Sequence, residues 1–341
     1  MNLKACCASV VAASWLAACS ASNGGGVPPS NSLNSFARHR AASEKRGEIT
    51  LYDDTFGDPV TAGIVAGPDG ALWFADPGND VIGRITTDGS YTLQQSVGSE
   101  VSGGIAVGPD KNLWFTLQLS GGGIGRITTN GSVKLFADPG GAFPQGITTG
   151  PDGALWYTET NGTVGRITTK GKVKHFTVAS SNAGLQGIVT GPDGALWVTQ
   201  SLTGSHDSNN VIRLTTSGQT KTFSVGAGPG EICVGPDKAL WFTEEDGSAI
   251  GRLTTAGKFK EYKTHYKYFE PFGIAAGPDG ALWFTVFNGT PSIGRITTKG
   301  KMKLFALPSD TGGIEITPGP DRAMWFTASL LRVGVGRITT N

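Results

Sequence analysis

Gly67-Pro68-Asp69-Gly70-Ala71-Leu72-Trp73-Phe74, followed over residues 82–87 by Ile-Gly-Arg-Ile-Thr-Thr, decides the fold of this chain because it recurs. The Gly-Pro-Asp triplet returns at Gly108, Gly150, Gly191, Gly235, Gly277 and Gly319, each time followed within a few residues by a tryptophan: Trp114, Trp156, Trp197, Trp241, Trp283 and Trp325. The arginine of the second landmark returns as Arg126, Arg166, Arg213, Arg252, Arg295 and Arg337. Three landmarks in fixed order define a repeat of about 42 residues, the signature of a repeat architecture rather than of two unrelated domains.

Working outward through one copy, the local chemistry predicts four strands. Gly63–Ala66 is short and apolar on both faces, as an innermost strand must be, and Gly67–Gly70 is a turn that uses the fixed φ of Pro and the freedom of Gly. Ala71–Ala75 forms the second strand, Val81–Thr86 the third, and a Thr87-Asp88-Gly89 turn leads to the fourth at Tyr91–Gln94. A lone sheet of this kind leaves both faces wet; seven stacked around an axis cover one another, with Trp and Phe wedged between neighbours. The expected fold is therefore all-β, a seven-bladed β-propeller of four-stranded antiparallel blades. The last copy stops after its third strand, at Asn341, whereas Gly47–Tyr52 has the pattern of a fourth strand with no copy before it. Residues 48–52 are thus expected to complete the last blade and close the ring, leaving no open edge.

Composition agrees. The 52 glycines and 18 prolines of the 341 residues demand many turns, a hydrophobic fraction of 38% can fill a core, and a net charge of +1 gives no field of one sign to argue for nucleic acid. Residues 1–18 read as a bacterial lipoprotein signal: Lys4, an apolar stretch, then Leu16-Ala17-Ala18-Cys19, a lipobox with Cys19 as the lipidated residue. An ordinary cleaved signal peptide is the alternative, and both imply export. Residues 19–46, rich in Ser, Gly, Asn and Pro and then basic, read as a flexible tether, leaving 47–341 as the propeller. The expected localisation is the cell envelope, periplasmic or outer membrane, with membrane contact through the lipid only and a monomeric body. With Cys19 lipidated, Cys233 has no partner for a disulfide.

The Gly-Pro-Asp-Gly-Ala-Leu-Trp-Phe run with Ile-Gly-Arg-Ile-Thr-Thr resembles the repeat of the virginiamycin B lyase (streptogramin lyase) family, and the likeness spans residues 47–341. The resemblance implies a carbon–oxygen lyase that opens a macrocyclic lactone by elimination, with Mg²⁺ held by glutamates and histidines serving as base and acid. Carried over by position, its glutamate falls on Glu270, its histidines on Phe272 and Gly230, and its second glutamate on Val286. His39, His175, His206 and His265 all lie outside these slots.

Loops expected at one mouth of the propeller carry Asp53, Asp54, Asp58, Asp76, Glu159, Glu231, Glu244, Glu245 and Glu270. One reading is a solvated acidic rim; the other is a divalent cation seated by Glu159, Glu231, Glu244 and Glu270, for which Mg²⁺ or Ca²⁺ suits the oxygen donors. The aromatic connection Tyr266, Tyr268, Phe269, Phe272 either presents flat faces to a small-molecule, glycan or peptide ligand or plugs the channel. Candidate catalytic groups are Glu270 and His265, with His206 in the longest insertion, Ser201–Asn210, also in view. The repeated Arg and Asp are expected to be structural, since seven equivalents cannot serve one axial ligand. Two functions remain open: an exported lyase, or a propeller that binds without catalysis.

Overall fold

The structure, a computed structural model, describes residues 45–53, 61–118, 122–181, 183–201, 209–264, 269–287, 290–309, 311–329 and 333–341. The signal segment, Cys19, most of the tether, His206 and the residues His265, Tyr266 and Tyr268 lie outside the described residues. Twenty-eight strands form seven four-stranded antiparallel sheets, and no described residue is helical. Blade 1 runs Ile64–Ala66, Leu72–Asp76, Val81–Ile85 and Tyr91–Ser96, within a residue or two of the boundaries read from the repeat. Six blades are simple meanders. In the seventh the order is Ile49–Asp53, Val333–Ile338, Met324–Ser329, Gly312–Pro318, so the N-terminal strand supplies the outer edge, as expected.

That closure is a strand ladder with a clamp at its end. Ile49 pairs with Ile338 and Tyr52 with Val335, the Gly47 amide donates to Thr339 O at 2.9 Å, and Arg46 Nε donates to Thr340 O at 3.0 Å. Aromatics on the outer strands lock successive blades in the same way around the circle. Phe136 packs where Gly171 has no side chain, Phe176 at Gly218, Phe223 at Gly257 and Tyr262 at Gly300. The two contacts across the seam are Phe305 at Gly47 and Tyr52 at Gly89. A Cβ on Gly89 would stand 2.0 Å from the Tyr52 ring, and its φ of +87° is one that only Gly adopts without strain.

The core lies between blades. Side chains alternate along each second strand, so tryptophan faces the next blade and the residue after it faces the previous one. Trp73 packs with Leu113 and Phe115, Trp114 with Leu155 and Tyr157, and so on until Trp325 packs with Leu72 and Phe74 and the ring is complete. The seven repeat tryptophans are fully buried, and truncating one costs about 3–5 kcal/mol in a packed core.

The landmarks are explained by what they hold. In blade 1 the Asp69 Oδ1 accepts the Trp73 indole N–H at 3.0 Å while its Oδ2 accepts Arg84 Nε at 2.8 Å. This Asp links the turn, the second strand and the third, and burial of the indole N–H is satisfied. Its carboxyl sits below the usual range: partial burial pushes it up, but the bonds from Arg84 and Trp73 outweigh that. Five further blades repeat both bonds. Blade 2 departs, because Asn112 replaces the usual Ala. Its amide takes Asp110 Oδ2 at 2.8 Å, leaving Arg126 Nη1 3.6 Å away and Arg126 Nε buried without a hydrogen-bond partner.

Candidate functional site: the axial channel

The inner strands converge on the axis, and the residue before their Ile decides what lines it. Five blades place glycine there (Gly63, Gly104, Gly146, Gly187, Gly273), while blades 5 and 7 place Glu231 and Glu315. Glycine is needed beside each glutamate. A Cβ on Gly187 would lie 3.0 Å from Glu231 Oε2, and one on Gly273 would lie 2.8 Å from Glu315 Oε2. The resulting cavity, about 160 Å³, is lined by Gln145, Gln186, Ser102, Phe272 and the two glutamates, and none of its described lining residues is basic. It is smaller than the sites that engulf drug-sized ligands, so it suits one projecting group rather than a whole macrocycle.

Crowded carboxyls in this channel hold protons more tightly than usual. Burial pushes Glu231 up to about 7. Glu315 stands well above the ordinary carboxyl range, from burial first and then from the charges of Glu231 and Glu245. Glu245 is pushed up to about 8 by burial, then by Glu231, Asp246 and Glu270. Glu231 and Glu245 therefore exchange protons near neutrality, which a solvated rim would not do.

Of the sequence-expected groups, the structure places Glu231 and Phe272 in the channel wall, with Glu245 near enough to feel the charges of Glu231 and Glu270. It separates Glu159 and Glu244 from them. Each ends a second strand on the face shared with Tyr157 or Phe242, so the period-2 alternation turns it toward the previous blade rather than into the channel. Glu159 meets Asp138 and His175, and Glu244 meets Glu261. The four-carboxylate axial cation site is thereby corrected: two of its members are elsewhere. Phe269 also belongs to the core, 2% exposed and edge-on to Phe284 at 5.9 Å, and presents no face to a ligand. What sequence reasoning missed is Glu315, although a glutamate breaking the Gly-Ile pattern in blade 7 was a visible signal.

The slots that the resemblance assigns to catalysis are physically closed. Gly230, one histidine slot, is covered by Glu245: a Cβ there would stand 2.5 Å from Glu245 Oε1. The other histidine slot holds Phe272, which has no proton to exchange. Val286, in the second glutamate slot, is 1% exposed and packed with Ile274, Phe269 and Phe284, where a carboxylate would be desolvated. The residues present do not fit the implied Mg²⁺, since Glu270 alone remains of the expected donors.

The model of the virginiamycin B lyase family matches residues 35–199 and 173–341. Among solved structures, a streptogramin B lyase is 27% identical with a TM-score of 0.78, covering 87% of this chain and 98% of the other. A catalytically inactive His-to-Ala variant of virginiamycin B lyase from Staphylococcus aureus, with quinupristin, is 30% identical with a TM-score of 0.76, covering 86% and 99%. Kuenenia stuttgartiensis hydrazine synthase, 16% identical with a TM-score of 0.67, shares the fold. No curated protein matches the chain.

Proposed function

Because this chain belongs to the virginiamycin B lyase family yet holds Gly230, Phe272 and Val286 where the resemblance calls for catalytic groups, we propose that it binds a ligand without turning it over. The axial channel takes a protonated amine carried by a small-molecule, glycan or peptide ligand. The lipidated Cys19 and the tether hold the monomeric propeller at the cell envelope, in the periplasm or on the outer membrane. The observation that carries this reading is the pair Glu231 and Glu315, the two departures from glycine in the channel wall, with raised proton affinity and no basic residue among the described lining residues. An entering ammonium favours the ionised carboxylates, so binding expels protons and strengthens as pH rises through about 7.

The elimination reading rests on Glu270, which keeps its place beside Glu245. One pair of measurements separates the two. Spermidine and tri-lysine are titrated calorimetrically in buffers of different ionisation enthalpy, against the chain and its Glu231→Gln and Glu315→Gln variants. Saturable binding with proton release, weakened roughly tenfold or more in either variant, is expected, a range ordinary for a buried charge-assisted contact. Chromatography of quinupristin incubated with the chain is expected to show intact lactone. Ring opening that disappears with chelator and in Glu270→Gln overturns the proposal in favour of the lyase.

A further inference from the structure

A second cluster, away from the axis, lies where blade 2 meets blade 3. Asp138 follows the outer strand Val133–Ala137 of blade 2, Glu159 ends the second strand Leu155–Glu159 of blade 3, and His175 lies in the outer strand Val173–Thr177 of that blade. Glu159 has a counterpart in Glu244 of blade 5, but its two neighbours are specific to this interface. Asp138 stands where four other blades place Val97, Val178, Val225 and Leu307 and blade 5 places Thr264, with Asp54 in the matching sequence slot outside the described residues, and His175 stands where the other outer strands carry Gln94, Leu135, Thr222, Glu261, Leu304 and Leu51. Three donor atoms, one from each residue, lie within 4.8 Å of one another.

The hydrogen bonding is incomplete in a particular way. Tyr157 Oη donates to Asp138 Oδ2 at 2.5 Å, and the Ala142 amide donates to Glu159 Oε1 at 2.8 Å, while the Thr163 hydroxyl donates to Glu159 Oε2. These bonds fix both carboxylates and leave Asp138 Oδ1 without a hydrogen-bond partner, on a side chain with no solvent exposure. His175 Nε2 lies 2.9 Å from that oxygen and 3.6 Å from Glu159 Oε2, yet neither the nitrogen nor Asp138 Oδ1 makes an aligned hydrogen bond. Nitrogen and oxygen thus lie side by side without bonding to each other. Ionised together against one imidazole, two buried carboxylates would leave net negative charge in a desolvated pocket, and burial and the Asp138 charge raise the proton affinity of Glu159 accordingly, so a proton or a cation is favoured there.

We propose that Asp138, Glu159 and His175 form a binding site for a first-row divalent cation of the Zn²⁺ type. A mixed nitrogen and oxygen set from three side chains is the donor pattern of such ions, with a further position left for water. Tyr157, Thr163 and the Ala142 amide are the supporting shell that holds the ligands in place. The ion joins the loop leaving blade 2 to two strands of blade 3, and the quarter-exposed edge of His175 is its way in. Blade 5 supplies an internal control: its equivalent positions are Val225, Glu244 and Glu261, with no imidazole and no carboxylate in the Asp138 place.

The test uses the purified mature chain, loaded with Zn²⁺, dialysed and assayed for bound metal by mass spectrometry, with Co²⁺ absorption as a spectroscopic check. One ion per chain is expected, with the Co²⁺ bands of a nitrogen-containing site. Asp138→Asn and His175→Gln are expected to lose the ion or weaken it roughly tenfold or more, since even outer-shell losses cost that much. Glu244→Gln is expected to retain it. Near-UV circular dichroism confirms folding, and if Asp138→Asn does not fold, His175→Gln, on an outer strand, decides alone. A wild-type chain that retains no ion, or variants that retain it as wild type does, overturn the proposal. Because the site is off axis, neither result bears on the amine-binding reading.

Discussion

Replacing Glu244 by glutamine should make the protein more stable at pH 8 and leave it almost unchanged at pH 5. Glu244 is fully buried between strands of blade 5, beside the Glu261 carboxyl and the Gly226 backbone, with no well-aligned hydrogen bond to either of its oxygens. Burial, and then the charge of Glu261, push its carboxyl from 4.5 up to about 8. A carboxyl whose proton affinity is higher folded than unfolded contributes its full stability below the unfolded value and loses it as pH rises through the folded value. The window is therefore pH 4.5 to about 8, and stability falls across it. At about 1.4 kcal/mol per unit the gap sets a ceiling near 5 kcal/mol. Sharing of the proton with Glu261 and relaxation of the site reduce this to on the order of 3 kcal/mol, or about 6 °C in Tm for a propeller of this size. The assay is Tm by calorimetry from pH 5 to pH 8 at constant ionic strength. Glu231, Glu245 and Glu315 depress both curves alike, so the difference between wild type and Glu244→Gln isolates one group. Parallel curves, or a variant less stable at pH 8, refute the claim that Glu244 is a buried carboxyl held against its charge.

Two further outcomes follow from packing. Asn112→Ala frees Asp110 Oδ2 for Arg126, as in the other six blades, and should raise stability by about 1 kcal/mol in a denaturant titration. Tyr52→Ala removes a ring that stacks on Trp325 at 5.4 Å and fills the space at Gly89; a loss of about 2–3 kcal/mol is expected. Hydrogen exchange in that variant should rise first along Ile49–Asp53 and Val333–Ile338, the seam of the ring.

The fold was legible because its determinants are repeated. An indole, a carboxylate and a guanidinium that recur seven times in register report one local solution, and the surplus strand at the start matches the missing one at the end. Side-chain direction at the strand ends was less legible. Glu159, Glu244 and Glu245 all follow the same Trp-x-Thr motif, yet the first two face the previous blade and the third lies over Gly230. One residue of offset reverses the face, and nothing in composition or loop position says where the strand ends. Glu315 was missed for the opposite reason: it sits inside a strand, where the eye expects core, and only the axis turns that position into a channel wall.

The candidate chemistry of this chain therefore lies where the repeat is broken, and the breaks fall into two groups with different physical consequences. At the axis, exchanging glycine for glutamate in blades 5 and 7 is tolerated only because Gly187 and Gly273 leave room. Such changes add charge to a space shared by all blades, so Glu231 raises the proton affinity of both Glu315 and Glu245. Between blades, Asp138 and His175 alter a single interface, so a charge placed there must be neutralised locally or not at all. A propeller can accept both kinds of change because the Trp, Asp and Arg that close each blade lie apart from them. Stability resides in the repeated residues, and the exceptions are free to bind.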